Sequence, residues 1–328
     1  MKILFVFLGG TIGSTLSGEY ISPDSKKGRA LIEAYSNKHG IDFEYDVIEP
    51  LSSLSENNTG EELKLILSSV SNTDGYDGIV VAHGTDTLQY TAAALGFYLG
   101  NCKIPACIIS SNYPIEDSRA NGLDNLYGAI ELIREGSSHG AFVAYRNGDE
   151  NIIRIHRATR LLSHDAFSDS LRSAKGKEYG YVTLGGDFYK NADFCEREDE
   201  LCAPLIDKLS PSAEKILRIS SHVGMTYPDI PKSTEYILIE SYHSGTINTK
   251  AAAARSFFAK ARERGIKVFM SGSCDGDQYL STSSFAELSV EPIVGVAPIA
   301  LYMKLWLYSL DRRVDKELLM QSRGGDIC

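Results

Sequence analysis

Short runs rich in Val, Ile and Phe recur along the chain, from Ile3 to Leu8, Ile79 to Ala82, Ala106 to Ile109 and Ala141 to Tyr145. Further runs cover Tyr236 to Ile239, Lys267 to Met270 and Ile293 to Ala297. Near-continuous apolar runs of this length suit strands covered on both faces, which is how a parallel sheet reads. Helical periodicity falls between them, at Glu61 to Val70, Arg119 to Arg134, Lys250 to Arg264 and Ile299 to Leu310. The alternation predicts an α/β architecture with βαβ crossovers, its mostly parallel sheet flanked by helices. From about Asp187 to Lys215 the pattern weakens, and the segment is charged and carries Pro204 and Pro211. This predicts a larger N-terminal domain over 1–190, a linker over 191–212 and a smaller C-terminal α/β domain over 213–328. No internal repeat or low-complexity tract stands out.

At 328 residues the chain can bury two cores. Its 43% hydrophobic and 23% charged content excludes a disordered protein. Acids outnumber bases by 43 to 33, which argues against a nucleic-acid footprint, since duplex binding needs a basic stripe. The six cysteines form no Cys-x-x-Cys and no Cys/His grouping with zinc spacing, so a reduced compartment is the simpler reading. The N-terminal apolar run, Ile3 to Leu8, is shorter than the roughly seven residues of a signal-peptide core and far short of a membrane span. It reads as the first strand of a cytoplasmic protein with no membrane partner.

Two polar loops follow predicted strands. In open α/β sheets, ligands bind beyond the carboxyl ends of strands. LGGTIGST, Leu8 to Thr15, offers glycines that permit close approach of a ligand, and a threonine hydroxyl. HGTDT, His83 to Thr87, sets a hydroxyl beside a carboxylate ahead of a helical stretch, LQYTAAALGFYL, whose N-terminus would aim N–H groups at the same spot. GGTIGS lacks the lysine of a P-loop and does not make G-x-G-x-x-G, so a phosphate cradle is disfavoured. His83 reads as a packed, hydrogen-bonded histidine, and Thr85 as either a helix cap or a reacting hydroxyl. Two threonines at separate strand ends, one with an adjacent acid, suit nucleophilic attack on an amide, because the attacking hydroxyl needs a proton acceptor and the oxyanion needs N–H donors.

LGGTIGS followed about 70 residues later by HGTDT resembles the bacterial-type L-asparaginase family, of the cytoplasmic type I kind. ISSNYPIEDSRANGLDNLYGAI extends the resemblance, and HRATRLLSHDAF, ILRISSHVGM and ESYHSGTIN match more loosely. The resemblance implies a two-domain fold and hydrolysis of L-asparagine to L-aspartate and ammonia through a threonine acyl-enzyme. Thr11 would be the nucleophile, assisted by Tyr20 from a loop, STLSGEYISPD, whose Gly18 and serines favour mobility. Thr85 and Asp86 would form the second triad, with Asp86 also binding the α-amino group. Ser55 would bind the α-carboxylate, Glu56 the α-amino end, and Ser111 would lie beside the side-chain amide, with Gly10 and Gly84 completing the substrate site.

The family's second triad includes a lysine, and the linear match puts Arg160 in its place. A guanidinium stays protonated and cannot serve as a base. Arg160 would then hold Thr85 and Asp86 electrostatically. Two other accounts are that Lys175 or Lys177 serves instead, or that the protein is a catalytically impaired amino-acid-binding protein. Tyr113 stands where the family often has arginine, and whether Asn248 replaces the family's asparagine is open, so the asparagine-to-glutamine preference is open too. A glutaminase-asparaginase is one alternative. The amidase subunit of a transamidation machine is another, although that subunit usually carries an added N-terminal module and this chain begins almost at its first strand. The family assembles its sites between paired subunits, implying a homodimer or homotetramer around a small amino-acid substrate.

Overall fold

The computed structural model describes residues 1–9, 28–148, 150–165, 167–273 and 279–328, with the backbone alone of 14–17, 20–23 and 27. A large sheet is built from β1 (Lys2–Phe7), β4 (Glu44–Ile48), β5 (Gly78–Ala82), β6 (Pro105–Ile109), β7 (Gly140–Tyr145), β8 (Ile152–Arg157), β9 (Gly180–Thr183) and β10 (Phe188–Lys190). Its order is β10-β9-β8-β7-β6-β5-β1-β4. The strands from β4 to β7 are parallel, and β8, β9 and β10 extend the sheet antiparallel. Between β2 (Ser14–Ser17) and β3 (Tyr20–Pro23) the backbone pairs antiparallel with Leu16 opposite Ile21, in the segment the sequence suggested as a mobile loop.

Side chains alternate along β1. Leu4 and Val6 join Ile79 and Val81 under α2 (Gly60–Ser69) and α3 (Leu88–Leu99), while Ile3, Phe5 and Phe7 face α1 (Lys27–His39) and α4 (Gly122–Glu135). With both faces covered, no residue of β5 needs to be polar, which is why GIVVA reads as a solid apolar run. Removing each of Ile79, Val80 and Val81 from water contributes about 1.5–3 kcal/mol.

The second sheet is parallel throughout, in the order β11 (Ile216–Ser220), β12 (Tyr236–Glu240), β13 (Lys267–Ser273), β14 (Val290–Val294). Helix α5 (Ala252–Glu263) covers one face with Phe257 and Phe258. On the other face Tyr236, Leu238 and Phe269 meet α7 (Pro298–Tyr308), which itself packs on α3 and so ties the two sheets together. Two short helices, α6 (Phe285–Leu288) and α8 (Lys316–Leu319), complete this half. The last strand lies three residues earlier than its apolar run suggested, because Pro292 is tolerated on an edge strand and Gly295, at φ +77°, ends it.

The strand order reverses at β1, where the chain adds β4 on one side and then β5 on the other. Open α/β sheets bind their ligands at such a switch point, beyond the carboxyl ends of the strands, and β1 and β5 are the two strands followed by the polar loops.

Candidate functional site

Backbone bonds bring the two loops to one place. Leu8 N donates to Ala82 O at 3.1 Å and Ser53 N to Leu8 O at 3.3 Å, and Gly9 forms a parallel bridge with Ser53. Gly9 sits at φ +89°, and a Cβ there would meet Ser53 O at 2.5 Å, so only glycine lets the chain after β1 cross this close to Ser53. From the other side, the Thr87 hydroxyl donates to Ser55 O at 2.9 Å, fastening the His83–Thr87 loop to the 3-10 turn Ser55–Asn57. Thr87, not Thr85, is the N-cap residue of α3, which leaves the Thr85 hydroxyl for other work. Ser55 is buried and its hydroxyl has no partner among the described residues. Glu56 and Asp86 are exposed, and Gly84 is buried. Gly10, Thr11 and Tyr20 carry three of the sequence expectations and lie outside the described residues, apart from the Tyr20 backbone in β3.

His83 is fully buried, with Nδ1 2.7 Å from Gly84 O and Nε2 2.9 Å from the Thr91 hydroxyl. Burial pushes its pKa down, and it stiffens the loop from beneath. The bland reading of this residue is the one observed.

A cavity of about 640 Å³ opens beside Thr85 and Asp86, with Gln89, Asn112, His164 and Asp169 among its walls. Helix α4 builds this wall through two asparagines near its start. Asn121 exchanges amide bonds with the Asn112 backbone and side chain at 3.1 Å each and donates to Arg146 O, while Asn125 donates to Ser110 O and accepts from Arg146 N. The carboxyl ends of β6 and β7 are thereby locked together, and Asn112 Nδ2 is aimed at Asp169 Oδ2, 2.5 Å away. The Tyr145 hydroxyl donates to the other carboxylate oxygen. Burial pushes the Asp169 carboxyl up, opposed by those two hydrogen bonds. Burial likewise pushes the His164 imidazole down, opposed by the carboxylates of Asp169, Asp86 and Asp165. Ser111 lies beneath the wall, fully buried, with its hydroxyl donated to Tyr113 O at 2.6 Å. Its neighbours Asn112 and Tyr113 reach the cavity instead.

Arg160 requires a correction. It is fully buried at the end of the 3-10 turn Ala158–Arg160, which packs on α3 where Gly96 leaves room for Thr159. Its Nε donates to Gly325 O at 2.7 Å, and its Nη2 donates to Cys195 O at 2.8 Å and Ile327 O at 2.9 Å. The guanidinium stacks on Phe194, 4.5 Å from the ring centre. Arg160 clamps the C-terminal tail and does not hold Thr85 or Asp86. The chain runs on through a bridge between Leu161 and Ser173, and Ser163 and His164 face the cavity. Lys175 is also engaged by the tail, donating to Cys328 O at 2.8 Å. Among the described residues, no lysine or arginine lines the cavity, and no group of three or more His, Cys, Asp or Glu is placed to hold a metal ion.

Residues 2–191, more than half of the chain, match the family model described as "Asparaginase, N-terminal". The chain belongs to the asparaginase family. Among its relatives, a glutamyl-tRNA(Gln) amidotransferase subunit of Methanobrevibacter smithii is 30% identical over 292 residues, covering 83% of this chain and 63% of that protein. L-asparaginase 1 of Escherichia coli (strain K12) is 34% identical over 133 residues, 39% of either chain. The chain thus spans less than two thirds of the length of these curated relatives. In three dimensions it resembles the thermostable L-asparaginase from Thermococcus kodakarensis, with a TM-score of 0.80 and 23% identity over 100% of this chain and 99% of that one. L-asparaginase I from Vibrio cholerae gives a TM-score of 0.74 at 20% identity, covering 100% and 99%. These two likenesses establish the asparaginase fold. Among the described residues no helix is long and apolar enough to cross a membrane.

Sequence reasoning overlooked Gln89, Asn112, His164 and Asp169. SHDAF held the relevant signal, an imidazole between a serine and an acid in a segment already matched to the family.

Proposed function

We propose that this asparaginase-family chain is an amidohydrolase that converts L-asparagine to L-aspartate and ammonia by two-step acyl transfer. Thr11, helped by Tyr20, attacks the carboxamide carbon, and backbone N–H groups beside Gly10 and Gly84 hold the oxyanion. Ammonia leaves, and water attacks the acyl-enzyme with Thr85 and Asp86 at hand. Ser55, Glu56 and Asp86 fix the carboxylate and amino ends of the substrate, so that binding energy becomes orientation. The observation that supports this most is the bridge from Gly9 to Ser53 beside the Thr87 hydroxyl bond to Ser55, which sets the end of β1 and the His83–Thr87 loop against the same Ser53–Ser55 stretch. No cofactor enters the reaction. A second copy of the chain would complete a homodimer or homotetramer. Phe167 favours such a cover, since it stands wholly exposed at the cavity rim in a left-handed conformation, φ +60°.

A second reading draws on the longer alignment with the amidotransferase relative: the same amide cleavage would supply ammonia to a partner enzyme. Ammonia release from L-asparagine and L-glutamine, set beside aspartate binding by calorimetry, tests both. Turnover of asparagine supports the first reading and a preference for glutamine favours a glutaminase-type role. Aspartate binding without turnover of either amide would leave an amino-acid-binding protein and end the enzymatic proposal.

A further inference from the structure

The cavity beside Thr85 lacks a cation among its described walls, yet hydrolysis of an acyl-enzyme needs a group that takes a proton from water. Asp86 is exposed and Asp169 is already bonded by Tyr145 and Asn112. His164 is differently placed. Its Nε2 is buried from solvent with no partner among the described residues, while its ring meets the Tyr145 ring edge-on, 5.8 Å between centres. The Gln89 side-chain amide lies 3.4 Å from Nδ1, and Gln89 is 4% exposed with its Oε1 unpartnered among the described residues. Rotating that amide end for end brings Oε1 to an Nδ1–H and leaves the lone pair on Nε2.

We propose that His164 is the proton acceptor for the hydrolytic step in the Thr85–Asp86 cavity, with Gln89 as the positioning residue that fixes its tautomer. The inference rests on the amidohydrolase reading above. Water oxygen bonds to the acyl carbon as a water proton passes to the Thr85 Oγ1 and the Thr85 proton passes to His164 Nε2. The carbonyl electron pair moves onto oxygen. On collapse the bond from carbon to the nucleophile oxygen, Thr11 in that reading, breaks, and the imidazolium returns its proton to that oxygen along the same path.

The charged and titratable groups facing His164 are Asp86 from the loop before α3, Tyr145 from β7, His156 from β8, and Asp165 and Asp169 from its own loop. The three carboxylates favour imidazolium and burial opposes it, and burial prevails. The base form is therefore present at neutral pH and is lost as pH falls through a value below the ordinary histidine pKa of about 6.5.

The test compares the full wild-type chain with His164→Gln, using L-asparagine turnover and rapid-quench ammonia measurement. Wild-type kcat should rise with pH through one ionisation below about 6.5 and then level. In His164→Gln, kcat should fall by about a hundredfold or more, KM should stay within about threefold, and the acid limb should vanish. One ammonia per site should still be released quickly before a slow steady state, because acylation precedes the step that needs His164. A variant that keeps kcat and its pH limb overturns the proposal while leaving the amidohydrolase reading intact. A wild-type chain that releases no ammonia overturns that reading first, and this inference with it. The wild-type profile needs no variant to fold: a kcat that falls as pH rises through the acid range, the opposite of what a base protonated at low pH gives, also overturns the role of His164.

Discussion

Replacing Arg160 with lysine separates a catalytic role from a structural one. The guanidinium reaches three carbonyl oxygens, those of Gly325, Cys195 and Ile327, and stacks on Phe194. A lysine ammonium on a single stem satisfies one of the three, and each buried carbonyl left without a donor costs about 1–3 kcal/mol. Arg160→Lys should therefore lose about 3 kcal/mol of stability. With an unfolding entropy of about 2.1 cal/mol/K per residue over this chain, the loss lowers Tm by about 4 °C. Arg160 sits at the tail rather than beside Thr85, so kcat of the folded variant at 25 °C should remain within about twofold of wild type. Thermal melting by circular dichroism and steady-state ammonia release check the two halves. A variant with unchanged Tm but a kcat reduced more than about tenfold would refute the tail-clamp assignment and return Arg160 to the chemistry.

Thr11→Ala and Thr85→Ala should each lower asparagine turnover by about a hundredfold or more with melting temperatures near wild type, and either variant keeping more than about a tenth of the activity would sink its assigned role. Gly9→Ala forces a side chain into a left-handed position against Ser53, so it should cost about 1–2 kcal/mol in a denaturant titration and also impair turnover by moving the first loop. Lys304→Met leaves Asp326 without its cation at a fully buried pair, 2.6 Å apart in the native protein, and should cost about 3–5 kcal/mol at neutral pH. That loss should shrink as pH falls toward the ordinary carboxyl value of about 4, since a protonated Asp326 needs no counter-charge. Melts at several pH values check the sign, and a loss independent of pH would contradict it.

Much of the fold was legible because burial on both faces leaves a simple trace. β5 and β6 are apolar at every position, and their runs stand out without any partner being known. β4 and β8 left no such trace. EYDVI is an edge strand half open to water, and IIRIHR hides His156 and Arg157 in the interior. Arg157 is tolerated there because the His139 carbonyl, the Asn101 side chain and the Glu196 carboxylate supply partners distant in sequence. No local pattern announces them.

The site divides in the same way. Two polar loops at strand ends, and their family, could be read from residues 8–15 and 83–87, since glycine, threonine and acid at a strand's end have few other uses. Which side chains surround Thr85 could not be read. Linear spacing assigned Arg160 to the cavity, but two of its three carbonyl partners, Gly325 and Ile327, lie more than 160 residues away and pull the side chain toward the tail. Three backbone acceptors and the Phe194 ring outweigh its position in a motif, and the chain just after it delivers His164 in its stead. Sequence determined the strands buried on both faces, the reversal of their order set the ends of β1 and β5 side by side, and the tertiary partners of each polar side chain decided which of them face the cavity.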